Sequence, residues 1–220
     1  MFFKFKHKGK EYMLQGLYND HIVKFMKTGY FYEQILLDKI LAMNIVGSYI
    51  DIGANIGNHS LFFGEYCPAK KVVAIEISPE LCNVLKSNLQ GSQYEIINIG
   101  VSDKIEYVGI SDIDRNNTGM TKIVGEGDIL VDKLDNVLSC LDLGKIGIIK
   151  IDVEGYEYKA LQGAIGTIQA NSPVIACESH TRDEFNKINN LLSDLGYKVH
   201  RKNGMPYDYG ISPTFIWERS

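Results

Sequence analysis

Tyr49-Ile-Asp-Ile-Gly-Ala-Asn-Ile-Gly-Asn-His-Ser60 is the stretch whose reading decides the fold. An apolar run from Ser48 to Ile52 carries Asp51 near its end and passes into Gly53-x-x-x-Gly57, after which apolar residues recur at helical spacing. The order is strand, tight turn, helix. Glycine at such a turn permits backbone angles closed to other residues, and its missing side chain lets a ligand approach the main chain. The same glycines would also serve an ordinary strand-to-helix turn, so the rest of the chain must decide between the two.

Downstream, Lys71-Val-Val-Ala-Ile-Glu76-Ile reads as a strand buried on both faces and closed by Glu76. Ser78-Pro79-Glu80 supplies a helix N-cap with proline at the first helical position, and the helix is expected to reach about Gln90. Tyr94 to Ile99 reads as a third strand, leading into Gly100-Val-Ser-Asp103, and Gly147 to Asp152 as a fourth. Val153-Glu-Gly155-Tyr-Glu157 and a helix from Tyr156 to Gln169 follow. Pro173 to Glu178 is a fifth strand, continued by Ser179-His-Thr-Arg182 and a helix from about Asp183 to Leu195. Strands at Tyr197 to Arg201 and Thr214 to Trp217, around a loop rich in Gly, Pro and Asp, complete the chain. Alternating strands and helices imply parallel pairing, which aligns the ends at Asp51, Glu76 and Asn98 along the sheet edge where ligands bind.

Upstream, Phe2 to Gly16 reads as a hairpin, and Asp20 to Lys27 and Tyr30 to Met43 as helices. Residues 1–45 are therefore expected to form a cap or extension, and residues 46–220 the ligand-binding domain. Between Lys104 and Val131, Ile105 to Ile110 and Met120 to Val124 are expected to pair around the polar loop Ser111 to Gly119, which is read as a substrate contact.

The 220 residues carry a formal net charge of -4, with no basic footprint for a nucleic-acid partner. No apolar run approaches the ~18–20 residues that span a bilayer, and the N-terminus lacks a signal core, so a cytoplasmic protein is expected. Cys67, Cys82, Cys140 and Cys177 are scattered and read as reduced thiols. Oligomeric state leaves no mark in the sequence.

Glu76 stands nineteen positions beyond Gly57, where nucleoside-binding sheets place a carboxylate for ribose hydroxyls. The turn is not the G-x-G-x-x-G dinucleotide fingerprint, and Asp51 at its start would repel phosphate. A cationic sulfonium or ammonium suits it better, which favours S-adenosylmethionine over NAD.

Asp51-Ile-Gly-Ala-Asn-Ile-Gly57, Glu76 and, more specifically, Lys150-Ile-Asp-Val-Glu-Gly-Tyr-Glu157 with Leu161-Gln-Gly-Ala164 resemble the FkbM-type family of S-adenosylmethionine-dependent methyltransferases. The likeness runs from roughly Tyr32 to Glu178. It implies an α/β, Rossmann-like class I methyltransferase fold: a seven-stranded, mostly parallel sheet with the last strand antiparallel and helices on both faces. It also implies methyl transfer to a hydroxyl oxygen. By the same resemblance Asp51, Gly53, Asn55, Gly57 and His59 would surround the methionine part of the donor and Glu76 its ribose, with adenine near Asn98 to Ser102, including Val101.

A sugar or aliphatic hydroxyl is a poor nucleophile, so a general base or a metal is expected. Asp152 and Glu154 follow the fourth strand, and Glu178 and His180 the fifth, which brings all four toward one rim. Asp152 is the first choice for base or metal ligand, with Glu178 and His180 as partners, because a carboxylate closing an apolar strand is costly unless partnered or used. If a divalent cation such as Mg2+ or Mn2+ takes part, Asp152, Glu178 and His180 would hold it. A small-molecule or glycan acceptor is expected; transfer to nitrogen, or cofactor binding without catalysis, are the rival readings.

Overall fold

The computed structural model describes residues 1–17, 19–202, 205–206 and 213–219. A hairpin of β1 (Phe2–His7) and β2 (Lys10–Gln15) leads to helices α1 (His21–Met26) and α2 (Gln34–Met43). Then come β3 (Gly47–Ile52), α3 (Asn58–Tyr66), β4 (Ala69–Glu76), α4 (Pro79–Asn88) and β5 (Tyr94–Asn98). A small sheet of β6 (Gly100–Val101), β7 (Glu106–Val108) and β8 (Ile129–Asp132) follows, with a 3-10 turn at Thr118–Met120 inside it. Next are α5 (Leu134–Leu138), β9 (Ile146–Ile151), α6 (Glu157–Gln162), α7 (Ile165–Asn171), β10 (Val174–Glu178) and α8 (Arg182–Asp194). The chain closes with β11 (Tyr197–Val199), the short pair β12 (Arg201–Lys202) and β13 (Met205–Pro206), and β14 (Thr214–Arg219).

The main sheet has seven strands in the order β11-β14-β10-β9-β3-β4-β5. β14 runs antiparallel to both neighbours, while β10, β9, β3, β4 and β5 are parallel. The expected architecture is present, last strand included. Strand order reverses direction at β3, which lies between β9 and β4, and such a switch point opens the crevice that takes ligands in doubly wound sheets.

Side chains alternate across the sheet, giving each face its own core. Tyr49, Val72, Ala74, Ile148 and Ala176 pack with the hairpin and with α1 to α4. Ile50, Ile52, Val73, Ile75, Ile149, Ile151, Ile175 and Cys177 pack on the other face with residues of α5 to α8. The N-terminal segment therefore shares a core with the sheet: Phe5, Phe31, Leu36 and Ile40 are fully buried against α3 residues such as Phe62. Among the described residues no helix is long and apolar enough to cross a membrane, and all four cysteines are free.

Two local expectations are corrected. The helix expected from Tyr156 to Gln169 is two helices, because at Gly163 the chain passes so close to the Ser102 carbonyl that a Cβ would meet it at 2.0 Å. Asp135 then caps the second one, accepting from the amides of Gly166 (2.9 Å) and Thr167 (2.7 Å). Met120 to Val124 is not a strand paired with Ile105 to Ile110. That contact is a single bridge, Ile110 with Ile123, while Glu106–Val108 pairs with β8 instead. The expected Gly-, Pro- and Asp-rich loop after β11 lies largely outside the described residues.

Candidate active site

A cavity of about 260 Å3 opens at the carboxyl ends of β3, β4, β9 and β10. Its floor is set by strand register. Asp51 pairs with Lys150 across β3 and β9, and Ala176 pairs with Lys150 across β9 and β10. Period-two alternation then puts Asp51, Lys150, Asp152 and Glu178 on the same face of the sheet, the face that carries α3.

Lys150 is the centre of this floor. Its side chain is 1% exposed, with Nζ 3.2 Å from Asp152 Oδ2 and 3.6 Å from Asp51 Oδ1. Burial alone would lower the ammonium's pKa, but Asp152, Asp51 and Glu33 override it and hold the group above its ordinary value. Asp51, fully buried, also accepts from Ser60 Oγ at 2.6 Å. It thus neutralises the lysine from beneath and does not line the cavity.

The glycine turn works as a cradle. Gly53 has φ +80°, and a Cβ there would lie 1.8 Å from the Asp152 carbonyl, so only glycine lets the ends of β3 and β9 meet. Asn55, also left-handed at φ +52°, donates its amide to Glu76 Oε2 at 2.8 Å. Ser78 donates its amide to Glu76 Oε1 at 2.9 Å. Burial pushes the Glu76 carboxyl up to about 7, although both amides oppose the shift. Gly57, left-handed at the start of α3, packs toward Leu85 and Leu89 rather than the cavity. Asn98 donates to the carbonyls of Glu76 (2.8 Å) and Ile77 (3.1 Å), which fixes the strand ends and leaves it off the lining, whereas Val101 is on it.

The four groups expected at the acceptor rim do converge. His180 Nε2 lies 2.9 Å from Glu178 Oε2 and 3.9 Å from Glu154 Oε2. Burial and the neighbouring Asp152 charge raise the Glu178 carboxyl well above its usual range. Burial would raise Asp152 too, but Lys150 outweighs it and keeps this carboxylate below its usual range. Glu154 is pushed up by burial and by Asp152. Its φ of +53° is rare for a side-chain-bearing residue and makes it, with Asn55 and Glu33, one of three such residues at or under the cavity. Glu157, by contrast, is occupied by its own turn, accepting from the amides of Val153 (2.9 Å) and Gly155 (3.0 Å).

Ligand atoms from Glu154, Glu178 and His180 lie within 4.8 Å of one another, as do those of Asp152, Glu157 and Glu178. The expected trio of Asp152, Glu178 and His180 is thus split between two groups that share Glu178. With Glu157 tied to backbone amides, the first group is the freer donor set for a hard cation.

Packing adds two parts to the site. Glu33, 2% exposed and left-handed at φ +56°, lies 2.9 Å from His59 Nε2 and accepts from Thr214 Oγ1 at 3.1 Å. It sits against His59, which lines the cavity. Lys150 stood within the quoted motif but was given no role; a lysine inside Ile-Ile-Lys-Ile is itself a signal, since a buried cation needs partners. The polar loop is held over the cavity by Thr118, whose amide and hydroxyl donate to Asp20 Oδ2 (2.9 and 2.8 Å) and whose hydroxyl also meets Asn55 Oδ1 at 3.0 Å. Asn117 to Thr121 line the cavity as a result.

Comparison with known proteins bears on the family and the fold. The chain is 26% identical over 149 residues to the hexuronic acid methyltransferase AglP of Haloferax volcanii, covering 66% of this chain and 60% of that protein. It is 25% identical to the AMB antimetabolite synthetase AmbE of Pseudomonas aeruginosa, covering 79% of this chain but 11% of that protein. The crystal structure of methyltransferase FkbM from Methylobacillus flagellatus superposes with a TM-score of 0.57 at 19% identity, over 79% of this chain and 43% of that one. The chain therefore spans only part of each. A methyltransferase fold from Streptococcus mutans, SMU.1697c, solved with S-adenosylhomocysteine, gives a TM-score of 0.50 at 12% identity over 84% of this chain and 94% of that one. Because the family model of the methyltransferase FkbM domain matches residues 51–199, this chain belongs to the FkbM-domain methyltransferases.

Proposed function

We propose that the protein moves a methyl group from S-adenosylmethionine to a hydroxyl of a sugar, glycan or glycosylated metabolite, in the cytoplasm. The observation that carries this reading is the arrangement of Glu76 and the Gly53 turn on one side of the cavity and the linked series Lys150, Asp152, Glu178, His180 on the other. Glu76 keeps acceptor capacity on both oxygens beyond its two amide partners, which suits a ribose diol. Ile77, Leu81, Ile99 and Val101 give that end apolar walls, which suit a purine. The FkbM family and the sugar-directed relative support a hydroxyl acceptor.

S-adenosylmethionine supplies an electrophilic methyl on sulfonium, whose carbon–sulfur bond breaks with its electron pair left on sulfur. In-line positioning by the protein can contribute ~7–11 kcal/mol. Asp152, kept ionised by Lys150, orients the acceptor hydroxyl and takes its proton. His180, 46% exposed, receives that proton by way of Glu178 and returns it to solvent. Were a divalent cation used, Glu154, Glu178 and His180 would be its ligands, and it would polarise the same hydroxyl. Incubation with methyl-labelled donor and a panel of oligosaccharides and nucleotide sugars tests the reading. Label in a glycoside hydroxyl supports it, and label found only in protein or nucleic acid overturns it.

A further inference from the structure

The acceptor side of the cavity is unevenly charged. Asp152, Glu154 and Glu178 all line it. Lys150, the buried cation, is committed to Asp51 and Asp152. Glu178 is 3% exposed, and its Oε2 has no aligned hydrogen-bond donor even though His180 Nε2 lies 2.9 Å away. Glu154 brings a second carboxylate to 3.9 Å from the same imidazole nitrogen. Beyond His180, the cation acting on Glu154 is Lys122, exposed on the loop. Two inward carboxyls thus meet at one imidazole, with no buried cation left among the described residues to receive an anionic substrate.

We propose that the acceptor carries an ammonium group beside the hydroxyl that is methylated, as in an amino sugar or amino alcohol, and that Glu154 and Glu178 receive the ammonium. This rests on the methyl-transfer reading above and narrows its substrate class. The chemistry is complementary: an ammonium offers three donors, one of them for the Glu178 oxygen that lacks one, whereas a uronate would be pressed against Asp152 and Glu154. The acceptor of the hexuronic acid methyltransferase relative is therefore not the acceptor of this chain.

Calorimetry on the protein saturated with S-adenosylhomocysteine separates the possibilities. The probes are methyl glucosaminide, methyl glucoside and methyl glucuronide. The glucosaminide is expected to bind about tenfold more tightly than the glucoside, with the glucuronide weakest. Glu178→Gln should remove the preference, and Glu154→Gln should reduce it. Equal affinities, glucuronide preference or no glucosaminide binding overturns the inference. S-adenosylhomocysteine binding, measured in the same cell, reports separately on the methyl-transfer reading. Loss of ammonium preference with that binding intact sinks only the substrate class.

Discussion

Lys150 Nζ lies 3.2 Å from Asp152 Oδ2, and this pair joins the strand that closes the cavity floor to the carboxylate at its rim. The lysine sets what Asp152 is: an ionised group held in place, in a position where burial alone would have protonated it. Asp51 completes the pair from below, so the acidic residue of the glycine motif serves the chemistry through Lys150.

Removing that cation should be costly. Lys150→Met leaves the buried Asp51 and the half-buried Asp152 without their partner, and a loss of about 3–5 kcal/mol in urea unfolding is expected. A loss below about 1 kcal/mol would mean that the pair does not organise the floor.

Glu76 gives stability a pH dependence. Its folded value, about 7, lies above the ordinary 4.5, so the native state holds the proton more tightly than the unfolded chain. Its contribution is therefore present below 4.5 and lost as pH rises toward 7. Glu178 acts with the same sign over a window reaching about 10. Comparing the denaturation midpoint of the wild type with Glu76→Gln across this range isolates Glu76. The variant should show the shallower decline between 4.5 and 7, and parallel curves would contradict the assignment.

Asp20 holds both a helix and the loop over the cavity. Its Oδ1 caps α1 through the Val23 amide at 3.0 Å while its Oδ2 takes the amide and hydroxyl of Thr118. Asp20→Ala should cost about 1–3 kcal/mol and raise protease sensitivity between Ser111 and Thr121. Unchanged cleavage there would show that the loop is held by other contacts.

Metal dependence is decided by chelation. Dialysis against EDTA is expected to leave methyl transfer unchanged. Activity lost and then restored by Mg2+ or Mn2+ would turn Glu154, Glu178 and His180 into ligands.

The sheet was legible because its buried strands are apolar on both faces and its turns carry glycine or Ser-Pro caps, as at Gly53 and Ser78-Pro79. The convergence of Asp152, Glu154, Glu178 and His180 was legible too, since adjacent parallel strands must end together. Illegible were contacts set by distance in the chain. Glu33 finds His59 only after α2 and α3 pack together, and Asp20 finds Thr118 across 98 positions. Asp51 and Asn98 stand off the cavity wall because a strand-end position fixes the level of a side chain but not whether a neighbour claims it. Lys150 claims the first, and the carbonyls of Glu76 and Ile77 claim the second. The break at Gly163 was hidden for the same reason, its cause being the Ser102 carbonyl.

The most direct test of the central claim is Asp152→Asn, measured for donor affinity by calorimetry and for single-turnover methyl transfer. Asn keeps the shape, and Lys150 retains Asp51. Donor affinity within about twofold of wild type with transfer slowed by about 10²–10⁴ is the predicted result. Transfer at the wild-type rate with donor binding intact would contradict it and take Asp152 out of the reaction.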